Sequence, residues 1–221
     1  LIDTANKTKA KLLYFSNPNN PMGTWTRGDK IVSLLENLPN DCLLILDEAY
    51  AEFAPNEAKV PILVDDPRLI RFRTFSKAYG IAGARIGYGL GSRELIGEFD
   101  KIRNHFGNSL LSQVAAIAAI KDQKYLSDVV KKISLGREKI YQIAKLNGLT
   151  AIPSATNFVA IDCGKDGNFA TQVMNGLLEA KIFVRKPAVA PLDRTIRVTV
   201  GRDDDIELLK NVFPQVLKAS Q

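Results

Sequence analysis

The chain has 221 residues, 46% hydrophobic and 24% charged, which allows one or two globular domains with a substantial core and excludes a fibrous or disordered protein. Its net charge of +6 comes from dispersed basic residues, with Lys131-Lys132 the nearest thing to a cluster and no aromatic interleaving, which argues against nucleic acid. No apolar run approaches the ~20 residues of a membrane span, residues 1–9 are too polar for a leader, and two cysteines with one histidine make no metal site.

In chain order, residues 11–15 read as a strand that runs into the turn Asn17-Pro-Asn-Asn-Pro-Met-Gly23. Residues 24–38 read as a helix, with Thr24 or Thr26 as N-cap and Ile31, Leu34, Leu35 and Leu38 on one face. Residues 42–46 are continuously apolar, the pattern of a parallel strand covered on both faces, and end at Asp47. Residues 51–67 hold three prolines and predict irregular chain with a short helix. Residues 69–75 and 84–90 predict strands on either side of a loop containing Lys77. Strands alternating with helices predict an α/β layered domain.

Downstream, residues 92–102 predict a helix capped by Ser92, and the alanine- and leucine-rich residues 109–120 a buried helix. Residues 125–146 predict a long amphipathic helix stopped by Asn147-Gly148. The remainder reads strand 158–162, helix 169–180, strand 182–185, strand 196–200 and helix 203–218, a second compact unit. The boundary is placed inside the long helix, giving domains 1–130 and 131–221. Cys42 and Cys163 adjoin apolar strands and read as free buried thiols of a reducing cytoplasm.

The stretch Thr74-Phe-Ser-Lys-Ala-Tyr-Gly-Ile-Ala-Gly-Ala-Arg85 carries the strongest chemical signal. Lys77 follows a buried strand and sits among small residues, so it is not a surface amine. Crowding by Arg71, Arg73 or Arg85 should disfavour its charged form and leave a nucleophile suited to a Schiff base. Asp47 ends a buried strand and needs a partner for its carboxylate; Glu48, next in sequence, should face structural partners instead. Asn17, Asn19 and Asn20 can all act as turn formers, and Asp47 as a cap. His105 reads as a loop or interface histidine, and Gly80-Ile-Ala-Gly83 lacks the step of a dinucleotide fingerprint.

Four segments in order, Asn17–Gly23, Asp47–Tyr50, Ser76–Arg85 and Arg197–Gly201, resemble the patterns N-P-x-N-P-T-G, D-E-A-Y, S-K-x-x-G-x-x-G-x-R and R-x-T-V-G. They are the patterns of the fold-type I, pyridoxal-phosphate-dependent aminotransferases of class I/II, and the chain is most similar to their histidinol-phosphate group. Met22 stands where threonine is usual. The resemblance implies a three-layer α/β/α large domain, incomplete at its N-terminus, plus a small C-terminal α/β domain. It implies pyridoxal 5′-phosphate as cofactor and Lys77 as the Schiff-base lysine that shuttles a proton. Asp47 would pair with the pyridine nitrogen, and Asn20 and Tyr50 would hydrogen-bond the phenolic oxygen. Thr74, Ser76 and Arg85 would hold the phosphate. Arg197, with Arg185 as second candidate, would bind an anionic group of the substrate.

The implied reaction is transamination between an amino donor, histidinol phosphate, and the 2-oxo acid 2-oxoglutarate, by a cytoplasmic homodimer. Other readings are an aromatic amino acid aminotransferase, an amino-acid-phosphate decarboxylase, or a non-catalytic piece of such an enzyme. The family carries a long segment before the point where this sequence starts, so the chain reads as its C-terminal portion.

Overall fold

The structure, a computed structural model, describes residues 1–61, 63 and 65–220, so Ile62 and Val64 of the expected irregular stretch lie outside it. The chain forms two units. The first is Leu1–Pro18 with Trp25–Val129; the second is Asn19–Thr24 with the chain from Val130 on.

In the first unit, α1 (Ile2–Thr8), β1 (Leu12–Ser16), α2 (Gly28–Glu36), β2 (Leu43–Asp47) and β3 (Leu69–Thr74) are followed by β4 (Gly87–Gly91). The sheet order is β1-β2-β3-β4, with the first three parallel and β4 antiparallel to β3. Ile31 and Leu35 of α2 and Ala5 of α1 pack with Leu13, Leu44, Leu46 and Leu69 on one face of the sheet. Because both helices lie on that face, Leu43 and Ile45 opposite are half-buried, and Leu12 and Tyr14 are 62% exposed.

Three expectations shift for local reasons. Helix α2 starts at Gly28, not at residue 24. The intervening backbone is already committed: Thr24 O accepts from Asn19 N (2.7 Å), and Thr26 exchanges two bonds with the Asn17 amide (2.8 and 3.0 Å). β4 starts at Gly87 because Ala82–Ala84 form a 3₁₀ turn capped by Arg85 in a left-handed conformation. The helix α3 (Arg93–Phe99) is capped by the Ser92 hydroxyl as expected. The next, α4 (Leu110–Lys121), is not the buried helix its composition predicts: Ala116 alone of its residues is buried, and Leu110, Leu111, Val114 and Ile117 are exposed. Apolar residues ring it on all sides, and only the Ala116 side meets Phe75 and Tyr79.

The helix α5 (Gln123–Leu146) leads into the second unit. There β5 (Thr150–Ala151), β6 (Phe158–Asp162) and β7 (Thr195–Thr199) form an antiparallel sheet in that order. The helices α6 (Gly167–Glu179) and α7 (Asp203–Ala219) bury Val173, Leu177, Leu209 and Phe213 against Val159, Ile161 and Ile196. Three acidic residues in the first turn of α7 complement its dipole. The strand expected over 182–185 does not form; Arg185 alone pairs, as an isolated bridge to Arg197. Lys181 turns the chain out of α6 with φ 66°, and Pro187 has no N–H to extend the pairing. Among the described residues no helix is long and apolar enough to cross a membrane.

Candidate active site

In open parallel sheets, ligands bind beyond the carboxyl ends of the strands. In the first unit β2 ends at Asp47 and β3 at Thr74, and the register sets Asp47 between Ser16 of β1 and Phe72 of β3. Strand parity separates the two neighbouring carboxylates. Asp47 continues the half-open face of Leu43 and Ile45, while Glu48 continues the buried face of Leu44 and Leu46.

Glu48 is 3% exposed and forms a two-pronged ion pair with Arg71 (2.7 and 2.9 Å), and Arg73 adds a third bond at 3.0 Å. Glu48 thus faces structural partners, as expected. The crowding of Lys77 by Arg71 and Arg73 is not found, since both guanidinium groups turn to Glu48.

Asp47 accepts a hydrogen bond from the backbone of Ala49 (2.9 Å) and another from the Tyr14 phenol. Although the side chain as a whole is exposed, partial desolvation of its hydroxyl end, reinforced by that carboxylate, pushes the Tyr14 phenol up to about 12. Tyr14 went unnoticed in the sequence, although two-residue alternation along β1 sets it and Ser16 on the face of Asp47. Tyr50 is 6% exposed and opens the 3₁₀ turn Ala51–Phe53. The Lys77 ammonium lies 5.4 Å from the centre of its ring.

The Lys77 loop is pinned at both ends. Ser76 N donates to the Thr74 hydroxyl (3.1 Å), Gly80 N to Lys77 O (3.0 Å), and Ile81 N to Phe75 O (3.2 Å). The Phe75 ring contacts Tyr79 and Tyr88 at centroid distances of 4.9 and 5.7 Å. Gly80 is required: its φ is +72°, and a Cβ there would meet the Tyr125 hydroxyl at 2.8 Å. Arg85 is exposed, has φ 48°, and donates to Ala82 O at 2.9 Å. An arginine in that backbone region is uncommon, although the end of a helical turn accommodates it. His105 sits in an exposed turn.

The second unit gathers the remaining candidates. Arg197 N donates to Arg185 O at 2.6 Å and Arg185 N returns the bond at 3.2 Å. Directly opposed like charges destabilise a strand pair, so this pairing favours an anion. Pro21, Lys186 and Pro187 complete a pocket of about 190 Å³ around the two arginines. The Arg197 guanidinium lies 4.7 Å from the Phe158 ring and donates to Asn20 Oδ1 at 2.5 Å. Asn20 is fixed by its turn: Asn19 Oδ1 accepts from Met22 N, and Gly23, with φ +79°, abuts Ser154 where a Cβ would clash at 2.3 Å. The nearby Arg194 and Arg202 pair instead with Asp162 (2.9 Å) and Asp205 (3.7 Å). Phe158, the aromatic platform, carried no signal beyond its place in an apolar strand.

A family model described as aminotransferase class I and II matches residues 1–212. The chain belongs to this family. Histidinol-phosphate aminotransferase of Geobacillus sp. (strain WCH70) is 39% identical over 216 residues, 96% of this chain and 58% of that protein. The crystal structure of histidinol-phosphate aminotransferase from Sinorhizobium meliloti in complex with pyridoxal-5′-phosphate is 48% identical and superimposes with a TM-score of 0.97, covering all of this chain and 61% of that one. L-threonine-O-3-phosphate decarboxylase from Porphyromonas gingivalis shares the fold at a TM-score of 0.80 and 24% identity. The aminotransferase fold of this chain therefore spans about three fifths of the length of those relatives.

Proposed function

We propose that the chain is the portion of a pyridoxal-phosphate-dependent aminotransferase that carries the reactive lysine, and that it transfers the amino group of histidinol phosphate to 2-oxoglutarate. The observation that supports the reading is the approach of the Lys77 ammonium to the Tyr50 ring, 5.4 Å from its centre, beside a parallel sheet whose strand β2 ends at Asp47. The donor set of the first unit fits the cofactor: an amine, a carboxylate, a buried phenol, two hydroxyls and a guanidinium. When bound, pyridoxal phosphate supplies a ring that accepts the electron pair released at the substrate carbon.

Each residue then has a task. Asp47 holds the proton on the ring nitrogen, with Tyr14 orienting the carboxylate. Tyr50 and Asn20 hydrogen-bond the phenolic oxygen. Thr74, Ser76 and Arg85 hold the phosphate. Lys77 would hold the cofactor through its Nζ and, once displaced by the incoming substrate amine, would as the free amine carry a proton from the amine-bearing carbon to the cofactor carbon on the other side of the bridging nitrogen. Arg185 and Arg197 bind the substrate anion, and two guanidinium groups side by side suit a phosphate. The similarity to the Sinorhizobium meliloti enzyme supports both cofactor and donor.

The exposed apolar side chains of α4 support the homodimer expected from the sequence. Two buried thiols outside any disulfide support a cytoplasmic setting. The test is borohydride reduction with pyridoxal phosphate, followed by peptide mapping. The label belongs on Lys77, and its appearance on Lys101 or Lys139 instead would sink the assignment.

A further inference from the structure

Glu52, in the turn that follows Tyr50, has no part in the reading above. Both its carboxyl oxygens are buried, and neither accepts a hydrogen bond. A carboxylate in such a place is costly. Burial pushes its proton affinity up; its own amide and Arg73 pull weakly the other way, and Glu48 adds to the rise. Arg73 directs its Nε to Glu48 at 3.0 Å, and none of its N–H groups bonds Glu52. Burial pushes the phenol of Tyr79, two residues beyond Lys77, up, and the Glu52 charge adds to the rise. The carboxyl is thus buried in the turn Ala51–Phe53 that follows Tyr50, and the Tyr50 ring in turn meets Lys77 of the lysine loop at 5.4 Å.

We propose that Glu52 is a positioning residue: as the uncharged acid it lets the turn bearing Tyr50 and the loop bearing Lys77 close around it, and as the anion it loosens both. The loop's catalytic meaning rests on the function proposed above, but the device itself needs no cofactor. The sign follows from linkage. A carboxyl that binds its proton more tightly in the folded chain stabilises the fold at low pH, and that stability is lost as pH rises from the unfolded value near ~4.3 towards the folded one.

The experiment compares the wild type with Glu52→Gln, an uncharged isostere, between pH 5 and 8. Urea unfolding and amide hydrogen exchange are measured without cofactor. The unfolding constant of the wild type relative to the variant should rise with pH, by up to about tenfold per unit. The Gly80 and Ile81 amides should lose protection relative to the variant over the same range, while α6 amides do not. Parallel pH curves would overturn the proposal, as would Gly80 and Ile81 amides that merely track those of α6. Glu52→Met serves as a second uncharged variant; failure of both to fold would also overturn it. Because no cofactor is used, failure to label Lys77 would count against the proposed function and not against this inference.

Discussion

Parity on β2 makes a sharp distinction between two adjacent carboxylates, and Glu48→Gln tests it. The substitution keeps the shape and removes the charge that faces Arg71, itself 2% exposed. Breaking a buried ion pair by neutralising one partner costs about 3–5 kcal/mol. The lower end applies here, because Arg71 keeps its bonds to Pro61 O (2.9 Å) and Val60 O (3.3 Å). A loss of about 3 kcal/mol lowers the melting temperature of a chain this size by roughly 6–12 °C. Trp25, the only tryptophan, belongs to the first unit and reports its unfolding by fluorescence. Below the melting transition, borohydride labelling of Lys77 should persist and turnover should fall less than fivefold. A variant that melts normally but loses turnover on the order of a hundredfold would refute the parity argument and move the ring-nitrogen role to Glu48.

Asp47→Asn should show the opposite phenotype: near-normal melting and cofactor labelling, with turnover down on the order of a hundredfold, as for loss of an electrostatic stabiliser. It should also bring the Tyr14 phenol, pushed up to about 12, part of the way back towards 10, since the partial desolvation of its hydroxyl remains while the carboxylate is gone; absorbance at 295 nm, referenced to Tyr14→Phe, measures this. Arg197→Ala should leave labelling unchanged and cost roughly 1.5–3 kcal/mol of donor binding, read as a rise in KM. Arg185→Ala should match that loss for histidinol phosphate and show a smaller one for an ordinary amino acid; equal losses for both donors would remove the residue-level reason for preferring the phosphorylated one.

The elements were legible where periodicity speaks directly. β6 and the ends of β2 and β3 follow from apolar runs, and the long helix α5 from its amphipathic face and Asn147-Gly148 stop. What the sequence hid was non-local. Residues 24–26 look free to begin a helix until the Asn17 amide is seen to claim Thr26. Residues 109–120 look buried because composition cannot show which neighbours arrive. The candidate site was legible as motifs, yet the arginines near Lys77 were assigned by proximity in sequence. Strand parity aims Arg71 and Arg73 at Glu48 instead, and the same rule would have found Tyr14.

The hexapeptide Asn19–Thr24 departs from the first unit and folds with the second, with Gly23 O accepting from Ala155 N at 2.8 Å. A recombination experiment between relatives would therefore mislead if it used a single crossover near residue 130. Such a chimera would pair one parent's hexapeptide, and with it Asn20, with the other parent's Arg197 and Ser154. The inheritable module is a discontinuous one, six residues together with the chain from Val130, in the first half of α5, onwards. Crossovers that transplant both pieces should yield folded hybrids far more often than those that transplant one.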